Sequence, residues 1–265
     1  MVSWLSSEDA DLAQGVITPV PQQRIREKLD QYMSRRDYAA VERHLLYWLE
    51  EARQGHDLRG ELMIRNEMIG HYRKTGDRES ALASANAALD LLDALGFSGT
   101  VSAGTTYVNV ATAMCAFDMH TDALPLFEKA KAVYEAGDTE PQLLGGLYNN
   151  MALACASTGR YDEAYTLFDR AMACMKDVRN GVLEQAITCL NRADCVAAES
   201  GPEASEARVY ALLDQASELL STPGVPHDGY YAFVCEKCAP VFEYYGYFLD
   251  AEHLKREAER IYEGT

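Results

Sequence analysis

The sequence predicts an all-α protein in which about six antiparallel helical hairpins stack into a solenoid. Three observations predict this fold. Small and bulky residues recur at helical offsets between Leu143 and Met175, and Gly159 interrupts them where a tight turn would join two helices. The same pattern returns about every 41 residues, as from Tyr107 to Tyr148. Because one hairpin cannot bury its apolar face alone, a constant period indicates neighbouring hairpins that bury it.

The best-defined hairpin resembles the tetratricopeptide repeat. Small residues on one helix admit bulky residues of the other, and their order fits that family. The matching positions are Tyr148, Met151 and Ala152 before Gly159, and Tyr161, Ala164, Phe168 and Ala171 after it. Cys155 stands where the family usually has an aromatic residue. The resemblance implies a right-handed superhelix whose first helices line a concave groove.

Taken in order, the chain begins with residues 1–21, which predict an irregular leader containing Gly15, Pro19 and Pro21. This leader is too short for a DNA-binding helix-turn-helix domain ahead of the repeats. Residues 22–263 predict a single array. Its hairpins are expected at about 22–54, 61–95, 103–136, 143–176, 183–220 and 229–263.

Two segments interrupt the regular period. Glycine and serine between Gly96 and Thr100 end a long second helix and break the run. The longest linker, Ser221–Gly229, stretches the step from Cys189 to Cys235 to 46 residues. The last hairpin is therefore expected to act as an end cap.

The composition argues against several classes of function. Lys and Arg total 24 against 41 Asp and Glu, so the formal net charge of −17 repels nucleic acid and anionic membranes. The acidic N-terminal stretch does not fit a signal peptide, and no apolar run approaches the length of a membrane span. Seven cysteines, mostly at helical core offsets, suit the reducing cytoplasm. We therefore expect a cytoplasmic protein without nucleic-acid or membrane partners.

The period suggests what the protein binds. A spacing of 40 to 42 residues exceeds the 34 residues typical of tetratricopeptide repeats. Arrays of this longer kind resemble kinesin light chain repeats and the peptide-sensing domains of bacterial quorum regulators, which hold extended peptides in the groove. The resemblance implies a peptide or protein ligand.

A ladder of asparagines is the main candidate site. Asn109, Asn150 and Asn191 occupy one offset in three consecutive first helices, with Asn149 beside the second of them and Asn66 one position earlier in the second repeat. An amide can bond both the N–H and the C=O of one residue in an extended chain. The alternative is that these amides bond the preceding repeat and stiffen the stack. The sequence leaves both roles open.

Other groove offsets would then provide specificity. Thr112, Leu153 and Asp194 follow the ladder position by three residues in successive repeats, and Arg73 lies in the second repeat. The predicted groove is small and weakly polar in its middle, basic towards Arg73 and acidic towards Asp194.

Catalytic and metal-binding functions find little support. Cys235 and Cys238 form a CxxC, with His227 before it and His253 after it, but both cysteines fall at core offsets and no second CxxC exists. Phosphate-binding glycine loops and nucleophile motifs are missing from the sequence. Gly145 and Gly146 begin a helix, and close helix packing is the expected role of both. We therefore expect a non-catalytic binding module without a cofactor or metal. A peptide-responsive regulator that changes curvature and a redox or metal protein using the CxxC are the alternatives. The sequence leaves the oligomeric state open.

Overall fold

Every regular element in the described part of the chain is an α-helix. The computed structural model describes residues 17–264, and no strand forms among them. Consecutive helices are joined by short turns and pack against each other as hairpins, which confirms the predicted all-α class. The helices are α1 (Gln22–Met33), α2 (Tyr38–Gln54), α3 (Leu58–Thr75), α4 (Arg78–Leu95), α5 (Val101–Ala116), α6 (His120–Ala136), α7 (Pro141–Ser157), α8 (Tyr161–Cys174), α9 (Gly181–Ser200), α10 (Pro202–Leu220), α11 (Gly229–Tyr244) and α12 (Phe248–Glu263).

The helices group into two compact units, Met1–Ser98 and Gly99–Thr265. The boundary falls within the Gly96–Thr100 segment, where the sequence pattern breaks. The regular period alone does not indicate this division, so a single array over residues 22–263 remains a prediction. The predicted leader, residues 1–21, lies outside the described residues up to position 16, and residues 17–21 are irregular.

Aspartate caps start three of the four helices that the structure describes in the first unit. Asp37, Asp57 and Asp77 directly precede α2, α3 and α4, and each carboxylate accepts a hydrogen bond from the N–H three residues later. Such a cap satisfies one of the free N–H groups of the first turn and contributes about 1 kcal/mol. Gly76, with φ at 77°, ends α3 in the left-handed conformation that glycine adopts without strain.

A short irregular segment, residues 17–21, is held against the turn between α2 and α3. The Thr18 N–H donates to the Gly55 carbonyl at 2.8 Å, and the Val20 N–H donates to Asp57 Oδ2 at 2.9 Å. Val20 is buried, and Gly60 provides the space beside it, because a Cβ there would lie 2.5 Å from Val20 Cγ2. Asp57 therefore both caps α3 and fixes the main chain that precedes α1.

In the second unit, the first helices of the four hairpins form one layer. Each of α5, α7, α9 and α11 contacts the next in the series, in addition to its own hairpin partner. The second helices, α6, α8, α10 and α12, pack chiefly against their hairpin partners, and α6 and α8 also contact the following first helix. Side chains on the outer surface of this layer can therefore lie next to one another across hairpins.

The repeated small residues form the core that the sequence predicts. Ala111, Ala152 and Ala193 are completely buried at one offset in successive first helices. Gly104 and Gly145, also 41 residues apart, bring their helices close to a second helix, because a Cβ on either would clash with Tyr134 or Met175. Close approach at these glycines explains how the hairpins pack at high density without large side chains at every position.

Tyrosine hydroxyls join helices by donating to carboxylates. With more acidic than basic residues, the protein has too few Lys and Arg to pair with every carboxylate, and the neutral phenol provides a further donor. The tyrosine–carboxylate pairs are Tyr72–Glu42, Tyr148–Glu135, Tyr165–Glu199, Tyr230–Glu184, Tyr245–Asp194, Tyr247–Asp214 and Tyr262–Glu236. Several of these bonds cross from one hairpin to the next and hold the stack in register.

The observed hairpins differ from the predicted boundaries by up to three residues. Four of them begin two or three residues earlier than expected, at Leu58, Val101, Pro141 and Gly181. For α3 and α5 the reason is the cap, since Asp57 and Thr100 begin the helix before the first apolar core position.

Candidate functional site

The asparagine ladder lies on the layer of first helices in the second unit. Asn109, Asn150 and Asn191 are carried by α5, α7 and α9, and each is half-buried. We call the surface around them the first-helix face. It comprises the ladder offset and one turn on either side of it: Thr105, Asn109, Thr112, Gly146, Asn150, Leu153, Ile187, Asn191, Asp194, Phe233, Lys237 and Pro240.

Two asparagines join α7 to α9. Asn149 is buried, 7% exposed, and its Oδ1 accepts a hydrogen bond from Asn191 Nδ2 at 3.2 Å. A buried amide bond between neighbouring helices fixes their register, since leaving the amide of Asn149 unpaired would cost about 1–3 kcal/mol. The structural role that the sequence left open therefore applies to this pair, and Asn149 faces the helix interface.

Asn150 differs from its neighbour. Its side chain is half-buried and makes no hydrogen bond within residues 17–264. One turn earlier lies Gly146, and a Cβ there would meet no atom within 4 Å. Sequence reasoning assigned both Gly145 and Gly146 to close helix packing, which is right for Gly145 and wrong for Gly146. The glycine leaves open space beside an amide that has both donors and its acceptor available.

One turn after Asn150 lies Leu153, a half-buried apolar side chain. With Gly146 and Asn150 it forms a stripe along α7 that is open, then polar, then apolar. This stripe can accommodate a main chain and one small apolar group.

On α5 the matching positions are Asn109 and Thr112. Both residues are half-buried, but Thr112 Oγ1 is shielded from solvent and has no hydrogen-bond partner in the described part of the chain. Direct contact between this hydroxyl and a ligand would require its side chain to rotate. Thr112 therefore contributes its methyl group and shape to the face in this conformation.

Asp194 provides a carboxylate at the same offset on α9. Its side chain is exposed, and its Oδ1 accepts a hydrogen bond at 2.9 Å from the hydroxyl of Tyr245, which follows α11. Desolvation by the surrounding protein raises the pKa of Asp194, and the Tyr245 bond opposes this shift.

Sequence reasoning missed Phe233 and Lys237 on this face and Glu184 beside it. Phe233 and Lys237 are exposed on α11. They occupy the offsets of Ile187 and Asn191 once the repeat period is lengthened to the 46 residues that separate Cys189 from Cys235. Glu184 on α9 accepts a hydrogen bond from the Tyr230 hydroxyl. Burial raises the pKa of Glu184, and the positive charge of Lys237 opposes the rise. The last first helix therefore adds an aromatic and a basic group to the face.

The two predicted residues of the first unit lie on α3. Asn66 Nδ2 donates to the Leu62 carbonyl one turn earlier, at 3.0 Å. Arg73 is exposed in the last turn of α3, where a positive charge interacts favourably with the helix dipole. The groove role of these two residues stays a prediction.

The CxxC cysteines are core residues. Cys235 and Cys238 are buried on α11, as the core offsets predict, and all seven cysteines are free thiols. Burial raises the pKa of Cys235 to about 11 and that of Cys238 to about 12. Among residues 17–264 no cluster of three His, Cys, Asp or Glu side chains has the arrangement of a metal site.

A cavity of about 320 Å³ lies away from the first-helix face. It is bordered by linker residues between Ser221 and His227 and by α10, α11 and α12. The predicted groove residues do not line it. Among the described residues, no helix has the length and apolar character needed to cross a membrane.

Comparison with known proteins identifies the fold class. No family model matches the sequence, and a search of curated proteins finds no match. Among solved structures, BtubC (BKLC) from P. vanneervenii is similar with a TM-score of 0.63 and 18% identity, over 75% of this chain and 79% of that one. Bacillus thuringiensis PlcR, crystallised with the peptide PapR7 and DNA, is similar with a TM-score of 0.55 and 12% identity, over 81% of this chain and 85% of that one.

These likenesses show the fold. The chain is an all-helical repeat protein that resembles the tetratricopeptide repeat proteins, as the pattern around Gly159 predicts. At such low identity the structural neighbours establish architecture, and function must be argued from the first-helix face itself.

Proposed function

We propose that the first-helix face of the second unit binds an extended peptide or protein segment without catalysis. The observation that carries this proposal is the unpaired amide of Asn150 beside the open space at Gly146. An unpaired, half-buried amide can donate to a peptide C=O and accept from the N–H of the same residue. It would then hold the main chain of a ligand without reading its sequence.

The geometry sets the length of the ligand. Packed helices lie about 8–10 Å apart, and an extended chain advances about 3.3 Å per residue. A peptide that crosses the layer therefore uses about three residues for each hairpin. Crossing from α5 to α11 requires about nine residues.

The structural neighbours support this function at the level of fold. PlcR, whose architecture is similar, was crystallised in complex with the peptide PapR7 and DNA. The burial of Cys235 and Cys238, which raises the pKa of both thiols, and the lack of catalytic motifs support a binding role over an enzymatic one. Seven free cysteines favour a reducing compartment, and we place the protein in the cytoplasm on this ground.

A peptide-display selection tests the proposal. The immobilised protein would be offered a library of random dodecapeptides, and enriched peptides would be synthesised and measured by fluorescence anisotropy. Replacing Asn150 removes two hydrogen bonds of about 0.5–1.5 kcal/mol each, so Asn150→Ala should weaken binding about tenfold. Asn86→Ala, the same change at an exposed position of α4 in the first unit, is the matched control and should leave binding unchanged.

Two outcomes would overturn the proposal. The selection could enrich no peptide, or the enriched peptides could bind Asn150→Ala as tightly as the unaltered protein. Circular dichroism of both variants would show that the comparison is made between folded proteins.

A further inference from the structure

We propose that the peptide presents a lysine or arginine to Asp194, so that this carboxylate determines a basic position in the ligand. The inference rests on the proposed function and specifies the chemistry of the peptide. It depends on three features of the second unit, which are the pairing of its carboxylates, the bond that holds Asp194, and the spacing of α7 and α9.

Asp194 is the exposed carboxylate of the first-helix face, and it pairs with no basic side chain of residues 17–264. Its one hydrogen-bond partner there is Tyr245. Asp214, which the Tyr247 hydroxyl bonds in the same way, lies on α10 outside that face. Neighbouring carboxylates on the same unit do have cationic partners, in the pairs Glu135–Arg170, Glu199–Arg208 and Glu243–Lys255. Asp194 is therefore an exposed negative charge for which the unit itself provides no counter-ion.

The basic residue nearest in sequence is already committed elsewhere. Arg192 Nη1 bonds Asp169 Oδ1 at 2.6 Å, and its guanidinium lies 5.6 Å from the ring centre of Tyr165. Both partners are on α8, so Arg192 is turned away from Asp194. Arg192 therefore does not neutralise Asp194, which leaves its carboxylate available to a basic side chain of a ligand.

The Tyr245 bond prepares the carboxylate for this role. The hydroxyl occupies Oδ1 at 2.9 Å and fixes the side chain, while Oδ2 takes no hydrogen bond from the described residues. An oriented carboxylate loses little side-chain entropy when it binds a cation. Its surroundings are desolvated enough to oppose its charge, and an ammonium or guanidinium group would relieve that cost.

The spacing places the basic residue along the peptide. The bond between Asn149 and Asn191 sets the register of α7 and α9, and Asp194 lies about 4.5 Å further along α9 than Asn191. With about 8–10 Å between the helices, an extended chain held by Asn150 reaches Asp194 in about three residues. The positive side chain is thus expected three residues from the one whose main chain Asn150 binds.

The same display selection provides the test. Peptides enriched on the unaltered protein should carry Lys or Arg at one fixed position. When this basic residue of the peptide is replaced by Ala, the affinity for the unaltered protein should fall at least fivefold. Asp194→Asn should lower the affinity for the original peptide by the same factor. The Asp194→Asn protein should bind the Ala-substituted peptide no more weakly than the unaltered protein does. Asp194→Lys should select acidic residues at that position instead. Asp90→Asn, an exposed aspartate on α4, is the matched control and should change neither affinity nor preference.

The outcomes of this selection distinguish the role of Asp194 from the proposed peptide-binding function. If peptides are enriched and depend on Asn150 but show no basic preference, or if Asp194→Asn leaves the preference intact, Asp194 is not the determinant while the peptide-binding function stands. If no peptide depends on Asn150, the proposed function itself fails. Acidic or purely apolar peptides enriched on the unaltered protein would also contradict the inference.

Discussion

The adjacent glycines of α7 allow a direct test of which side of that helix is open. Gly146→Ala replaces a glycine inside a helix at a position where the new Cβ meets no atom within 4 Å. Alanine is favoured over glycine in a helix by about 1 kcal/mol, so we expect this variant to be more stable by about that amount. For a domain of this size the midpoint of thermal unfolding should rise by about 2–4 °C.

Gly145→Ala gains the same helix propensity but places its Cβ 2.5 Å from Met175 Cε and 3.3 Å from Cys174 Cβ. Met175 is 4% exposed, so its methyl group, if displaced, would press against other buried side chains. Overpacking of this kind costs about 1–3 kcal/mol, and the net effect is a loss of about 0–2 kcal/mol. The two variants should therefore differ by about 1–3 kcal/mol.

Urea unfolding followed by circular dichroism measures this difference, with both variants compared with the unaltered protein. Equal stabilisation by both substitutions would show that Gly145 does not lie at a close contact. Destabilisation by Gly146→Ala of more than 1 kcal/mol would show that the first-helix face is covered at Gly146, and the site argument would fail.

Three further predictions concern other parts of the chain. Gly60→Ala should destabilise the first unit by about 1–3 kcal/mol and release the Val20 amide to hydrogen exchange, whereas Gly70→Ala on the same helix meets no atom and should not. Burial raises the pKa of Tyr148 from 10.0 to about 12, so the stability that this tyrosine contributes is complete below pH 10 and is lost as the pH rises towards 12. An absorbance titration of the unaltered protein and of Tyr148→Phe measures this pKa. If the substitution removes a group that ionises near pH 10, the prediction is wrong. Cys235 and Cys238 should react slowly with a thiol reagent until urea unfolds the protein, and rapid reaction of either would revive the redox alternative.

The sequence predicts the fold well because hairpin stacking depends on local periodicity. The sequence pattern alone predicts the turn at Gly159 and the buried alanines at one offset, such as Ala111 and Ala152. Helix starts were predicted two or three residues late, since the caps Asp57 and Thr100 lie outside the apolar period. The division at Ser98 depends on how contacts are distributed, and periodicity carries no information about that.

The sequence indicates the helix face on which the proposed site lies, but it does not assign a role to each residue. Asn149 and Asn150 are the same residue type side by side, and only the structure shows that the first amide bonds Asn191 while the second does not. A rotation of about 100° per residue separates them on α7, which is enough to send one side chain into the interface and the other to the surface. The open space at Gly146 was missed because a glycine in a helix is equally compatible with close packing and with a gap.

The most direct test of the central claim places a photoreactive benzoylphenylalanine at Gly146, next to Asn150, and irradiates the protein with a display-selected peptide. The same substitution at Asn86 on α4 provides the matched control. If the first-helix face binds the peptide, mass spectrometry should find a peptide adduct from position 146 and none from position 86. No adduct at position 146, with binding retained, would show that the peptide binds elsewhere.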